Sequence, residues 1–233
     1  MTSPVFVKRH PDAACVLAAR RHRDWLEQLG SGIRLPHAHP GTGTLQILER
    51  IEGRQPEIRD LVDLAIVLGR LHGTAYQQHL HAAQLDDPFT ATPALTIPDF
   101  CACRQQVLAR FDVPVGGDVA FYKDANLRNF LITTDGPAVV DFDDLTLAPF
   151  GYDLAKLVVS LVMTYGSIAA SAIHEALDAY NTAVVHAGGP ASSATAYDLA
   201  LYAEIHHVLT ARYLHRNGYE HSWADTRPWP IPI

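Results

Sequence analysis

Phe121-Tyr122-Lys123-Asp124-Ala125-Asn126-Leu127-Arg128-Asn129-Phe130-Leu131-Ile132-Thr133, followed by Val139-Val140-Asp141-Phe142-Asp143-Asp144, is the stretch that decides the reading of this chain. An apolar run at 119–122 ends in a polar loop carrying Asp124 and, five residues on, Asn129. Two more apolar runs, 130–133 and 138–142, flank Thr134-Asp135-Gly136-Pro137, a composition that favours a tight turn between strands. Such a hairpin returns Asp141, twelve residues after Asn129, to the side of the loop. Two carboxylates and an amide then converge.

The elements on either side set the fold class. Residues 4–8 read as a short strand, and 12–29 as a helix with Pro11 and Asp12 at its start and Gly30 at its stop. Two strands, 34–40 and 44–51, are expected around the turn 41–43. After Pro56, Ile58, Leu61, Val62, Ala65, Leu68, Leu71 and Ala75 recur at helical spacing. A loop rich in Pro and Asp, 85–98, leads to a helix at 99–111. Beyond Pro149 the pattern is helical at 152–164, 168–186 and 195–217, and the tail from Arg227 is irregular. These expectations describe an α+β chain of two lobes. Residues 1–53 form a reduced strand-rich lobe, and 54–233 a mainly helical lobe holding the polar loop and hairpin. Lys8, residues 49–53 and residues 122–144 then meet at a cleft.

Composition narrows the function classes. A chain of 233 residues can bury roughly 70% of its unfolded surface, and its hydrophobic fraction of 48% is that of an ordinary globular protein. A net charge of −7 argues against a nucleic-acid partner, which calls for a basic excess. Cys15, Cys101 and Cys103 cannot form a closed disulfide set and read as small buried thiols in a reducing compartment. Residues 1–11 are too polar for a signal peptide, and no apolar run approaches the ~20 residues of a membrane span. A cytoplasmic location without a membrane partner is expected. Nothing in the sequence bears on oligomeric state. The pairs His37/His39, His79/His81 and His206/His207 read as surface or packing histidines, since adjacent or i+2 positions on a helix diverge.

The chemistry follows from the donor types. Phosphoryl transfer needs a carboxylate to receive or orient the acceptor hydroxyl and oxygen ligands for Mg²⁺ bridging the phosphates. Mg²⁺ favours one or two carboxylates, an amide oxygen and waters. Asp124, Asn129 and Asp141 supply that set.

The same residues carry a resemblance. The loop 122–129 resembles the catalytic loop of protein kinases and of aminoglycoside and choline kinases, in which an aromatic residue precedes the Asp and an Asn follows five later. Asp141-Phe142 resembles the second magnesium Asp with its aromatic neighbour. Gly151-Tyr-Asp-Leu-Ala is similar to a segment of the aminoglycoside phosphotransferases, as are Leu48-Glu-Arg-Ile-Glu-Gly between the lobes and the helix 64–72. The match runs in order from Lys8 to about Leu161. It implies a protein-kinase-like two-lobe fold and an ATP- and Mg²⁺-dependent phosphotransferase acting on a small-molecule hydroxyl.

Carried over residue by residue, the resemblance makes Asp124 the base or orienter and lets Arg128 neutralise the moving phosphoryl group. Asn129 and Asp141 would hold Mg²⁺, and Lys8 would meet the α/β-phosphates. The link through Glu49, Arg50 and Ile51 would receive the adenine edge, and Asp153 would brace the loop. Asp143 and Asp144 are open to metal or substrate contacts or to a plain acidic turn. Two departures stand out. Only seven residues precede Lys8, so the glycine-rich hairpin over the phosphates is expected to be absent, with weakened activity. The helix after Lys8 also has no glutamate near Ala18 or Ala19. The rival reading is a non-catalytic kinase-like binding module. A protein kinase is disfavoured, because Gly151 follows Asp141 too soon for a long activation segment. Acceptors left open are aminoglycosides or other antibiotics, amino alcohols such as choline, and sugars. Asp143, Asp144, Glu175, Asp178 and Glu204 are candidates to welcome an amine.

Overall fold

A computed structural model describes residues 4–111, 113 and 116–229. The first strand, β1 (Val5–Arg9), leads into α1 (Ala13–Gln28). Asp12 caps α1 by accepting the Cys15 N–H at 2.8 Å, which satisfies one of the donors a helix start leaves free. Gly30 ends the helix at φ +62°, a left-handed position that glycine takes without strain. β2 (Ala38–His39) and β3 (Leu45–Glu49) complete an antiparallel sheet in the order β1–β3–β2, with Lys8 opposite Gln46. Both strands are shorter than expected, and Arg34, expected in the first of them, bridges Ala138 in the helical part instead.

A 3₁₀ turn at Ile58–Asp60 starts the long helix α2 (Leu61–Gln78). Its Leu64, Ala65, Leu68, Leu71 and Ala75 are wholly buried, as their spacing requires. The expected loop 85–98 is instead a hairpin, β4 (Phe89–Thr92) and β5 (Leu95–Ile97). Its alternating Leu95 and Ile97 are buried, so period-two burial overrides the Pro and Asp content around it. α3 (Phe100–Leu108) follows, capped by Asp99 accepting the Ala102 N–H at 2.7 Å.

The polar loop lies between β6 (Val119–Tyr122) and β7 (Phe130–Thr133), and β7 pairs antiparallel with β8 (Gly136–Val139). β8 is shorter than the expected 138–142, so Asp141 sits just past its end. β9 (Thr146–Pro149) was not foreseen; it pairs antiparallel with β6 and closes the base of the loop. The remaining helices are α4 (Tyr152–Tyr165), α5 (Ala170–His186), α6 (Ala196–Thr210) and α7 (Trp223–Thr226). The helix expected over 195–217 stops at Thr210; a 3₁₀ turn follows, and His215 and Asn217 take positive φ. Residues 227–229 are irregular, as expected of the tail, and 230–233 lie outside the described residues.

Helices α2 and α5 approach unusually closely. A Cβ on Gly69 would stand 2.4 Å from the Tyr180 carbonyl oxygen, and one on Gly73 the same distance from that of Val184. The architecture is a small strand-rich part beside a mainly helical part, as the sequence led us to expect. Among the described residues no helix is long and apolar enough to cross a membrane. The cysteines correct their reading: all three are free, but Cys15 and Cys103 are exposed and Cys101 half-buried.

Candidate active site

The loop after β6 is clamped around one residue. Asp124 has φ +58°, a left-handed conformation that costs a non-glycine residue about 1–2 kcal/mol. Its neighbours on both sides are tied to Asp153 at the start of α4. The wholly buried Asp153 carboxylate accepts Lys123 N–H at 3.0 Å and Ala125 N–H at 2.9 Å. Asp153 thus braces the loop in the manner implied by the resemblance. The Asp124 carbonyl accepts Asn126 N–H at 2.6 Å and Asn129 Nδ2–H at 2.8 Å. Asn129 therefore presents its amide nitrogen to the loop and keeps its Oδ1 for another ligand. The Asp124 carboxylate accepts the Tyr122 hydroxyl at 2.9 Å and lies 3.6 Å from Lys156 Nζ.

Behind Asp153 stands His72, which the sequence offered only as part of a matching helix. His72 Nε2 lies 3.6 Å from Asp153 Oδ2, and Nδ1 is 2.8 Å from the Tyr180 hydroxyl, which also accepts Gly151 N–H at 3.1 Å. The signal was a histidine within an apolar helical stripe. Lys123 was missed as well. Its Nζ is buried without a hydrogen-bond partner, 5.6 Å from the Phe130 ring centre and 5.9 Å from that of Phe142. Burial pulls its pKa down, against the opposing pull of Asp153, Asp141 and Asp124.

The hairpin brings Asp141 to this loop. Phe130 pairs with Val139, and Val140 N–H donates to the Asn129 carbonyl at 3.0 Å. Asp141 is thus the residue after one bonded directly to Asn129. Lys8 arrives from β1, with Nζ 2.9 Å from Asp141 Oδ1 and 2.7 Å from Asp143 Oδ2. Burial works against the Lys8 charge, but the two carboxylates outweigh it and raise its pKa above the ordinary value. For Asp141 burial works upward, and Lys8 outweighs it to leave the pKa lowered. Asp143 is thus a second anionic partner of Lys8 beside Asp141. Helix α1 contributes His22, whose Nδ1 donates to the Phe142 carbonyl at 2.9 Å.

Asp144 completes the acidic set. Burial first, then Asp124, Asp143 and Asp141, raise its pKa. Asp124, Asp141, Asp143 and Asp144 share this region with Lys8, Lys123 and Lys156. Among the described residues no three or more His, Cys, Asp or Glu side chains form a ready metal cage. The histidine pairs behave as packing or surface groups: the buried His206 Nε2 donates to the Tyr152 carbonyl at 3.0 Å.

Two clefts meet at the loop and share no lining residue. One, of about 390 Å³, is walled by Phe6, Leu48, Leu131 and Val140 and also reached by Lys8, Glu49, Arg50, Ile51, Arg128 and Asp141. Within it, Glu49 N–H donates to His37 O at 2.7 Å and Arg50 N–H to Pro4 O at 3.0 Å. The Glu49 carboxylate bonds Arg34 and accepts His37 N–H at 3.1 Å. Arg128 is steadied by Asn126 Oδ1 at 3.3 Å and by the Tyr219 ring, 4.9 Å from its Cζ. The other cleft, of about 600 Å³, holds Asp124, Asp144, Tyr122, Asn126 and Lys156.

The fold has counterparts. The profile of the phosphotransferase enzyme family matches residues 2–194. A choline kinase from Cryptosporidium parvum Iowa II has the same fold, with TM-score 0.59 and 13% identity over 97% of this chain and 80% of its own. A macrolide 2′-phosphotransferase from Brachybacterium faecium aligns with TM-score 0.55 and 16% identity, covering 97% of this chain and 85% of the other. An amicoumacin kinase solved with AMP-PNP and Ca²⁺ aligns with TM-score 0.54 and 15% identity, over 88% of this chain and 72% of that one. No curated protein matched by sequence.

Proposed function

Because this chain belongs to the phosphotransferase enzyme family, we propose that it transfers the γ-phosphoryl group of ATP to a hydroxyl of a small molecule. The observation that supports the reading is that the Asn129–Asp124 and Val140–Asn129 hydrogen bonds tie the loop carrying Asp124 and Asn129 to the chain leading into Asp141. The 390 Å³ cleft supports a nucleotide: apolar walls suit a purine, and Lys8 and Arg128 lie where phosphates would reach the loop. With Glu49 and Arg50 N–H engaged, Ile51 is the link residue left to donate to the base edge.

Asn129 Oδ1 and the Asp141 carboxylate would be the oxygen donors for Mg²⁺, a hard cation that prefers such ligands. Bound with the nucleotide, the ion would offset charge on the phosphate oxygens. Asp124 accepts the proton of the acceptor hydroxyl as its oxygen forms a bond to the γ-phosphorus. The bond from that phosphorus to the β,γ-bridging oxygen breaks, and its electron pair leaves with ADP. Arg128 steadies the charge spread over the transferring group. The Tyr122 hydroxyl holds the Asp124 carboxylate in place.

The test is ADP release with MgATP and an acceptor panel. Asp124→Asn is expected to lower kcat by at least ~10²-fold while leaving the melting temperature and nucleotide affinity near the parent values. Undiminished turnover in that variant removes the mechanism.

A further inference from the structure

The 600 Å³ cleft beside Asp124 is built against amines. Recognition of a quaternary or primary ammonium calls for open aromatic faces or free carboxylates. The aromatic faces are already covered from within. Arg104, on α3 and 8% exposed, places Cζ 4.7 Å from the Phe100 ring centre, 4.8 Å from Tyr122 and 4.9 Å from Tyr152. Arg128 covers Tyr219, and Arg212 covers Tyr213, each at 4.9 Å.

Of the carboxylates expected to welcome an amine, only Asp144 lines the cleft. Glu204 accepts the Trp223 indole N–H at 2.8 Å and lies 3.4 Å from Arg227. Glu175 and Asp178 are exposed on α5 and do not line the cleft. Asp143 is engaged with Lys8. The cleft retains Asp124 and Asp144, both on the side of the proposed chemistry.

The cations are what the cleft holds in excess. Arg104 is fixed by Nε to the Tyr152 hydroxyl at 3.0 Å and by Nη2 to Thr146 Oγ1 at 2.9 Å, yet its buried Nη1 has no partner. Lys156, on α4 and also 8% exposed, has its Nζ near Asp124 but at 3.6 Å, beyond a hydrogen bond. Arg212 stands at the rim. His206, buried beside them, has its pKa pushed well below the ordinary value by burial first and then by Lys156 and Arg104. A positive field converges on this wall.

We propose that the acceptor is a hydroxylated anion, an alcohol bearing a carboxylate or phosphate that Lys156 contacts directly, with Arg104 as the buried charge behind it. This rests on the phosphotransfer reading of Asp124. The experiment offers the full chain MgATP with glycerate, gluconate and glycerol 3-phosphate against choline and kanamycin, and follows ADP release. The anions are expected to be turned over, and the carboxylate and phosphate arms separate the two sources of charge. Lys156→Gln is expected to raise KM for the preferred anion at least ~10-fold with a smaller change in kcat, and Lys156→Arg to restore most of it. The exposed Arg212→Gln, which leaves the core intact, is expected to raise KM about 2- to 3-fold, as a rim charge should.

Turnover of choline or kanamycin with the anions idle overturns the inference and leaves phosphotransfer standing. Where no compound is turned over, calorimetry with the same anions decides. Binding abolished by Lys156→Gln keeps the anion site and removes the phosphotransfer reading, whereas no binding overturns the inference.

Discussion

Asp124 carries strain that its neighbours must hold. Its left-handed backbone persists because Asp153, Asn126 and Asn129 fix the peptides on either side. The result is a carboxylate aimed by the backbone and steadied by Tyr122. Lys8 is organised differently, by two carboxylates of the hairpin instead of a helix glutamate. Asp143→Asn should therefore leave Lys8 with a single anionic partner and raise KM for ATP roughly 3- to 10-fold, one lost charge-assisted hydrogen bond. Steady-state kinetics at saturating acceptor measures this, and an unchanged KM refutes the role given to Asp143. The loop residues were legible because their donor types and spacing are set by chemistry. Asp143 as partner to Lys8 was not, since a contact between residues 8 and 143 leaves no periodic trace. Nor was His72, whose role depends on which buried carboxylate it faces.

At the scale of elements, the helix pair α2–α5 depends on two glycines that give no outward sign of function. Gly69 and Gly73 lie one turn apart on α2 and let the α5 carbonyls pass at backbone distance. That helix carries His72, and α5 carries Tyr180, so the pair also sets the support behind Asp153. Gly73→Ala gains about 1 kcal/mol of helix propensity, but the added methyl must displace backbone, and such overpacking costs about 1–3 kcal/mol. The balance is a net loss of up to about 2 kcal/mol, read as a fall in Tm of up to about 8 °C; a rise in Tm contradicts the close approach. The long helices were legible from their apolar period and caps. The β4–β5 hairpin was hidden by surrounding Pro and Asp, and β9 by its proline, whose lack of an N–H disfavours strand interiors. The expected helix to 217 failed because amphipathic spacing says nothing of where tertiary packing stops it.

For the whole molecule, the strand-rich and helical parts meet so that β1 delivers Lys8 to a hairpin of the helical part. One cleft reaches the loop from the side of Lys8 and Arg128, the other from the side of Lys156 and Arg104. The fold class was legible from the order of elements, whereas the charge of the acceptor wall was not, because it is assembled from α3, α4 and the turn after α6. The central claim is that Asn129 and Asp141 share one divalent ion beside Asp124. A crystal structure with Mn²⁺ and a non-hydrolysable ATP analogue, read by anomalous scattering, tests it most directly. The account predicts a metal peak about 2.0–2.3 Å from Asn129 Oδ1 and an Asp141 oxygen, with the nucleotide in the cleft lined by Phe6 and Leu48. A metal and nucleotide bound away from those two side chains would contradict it.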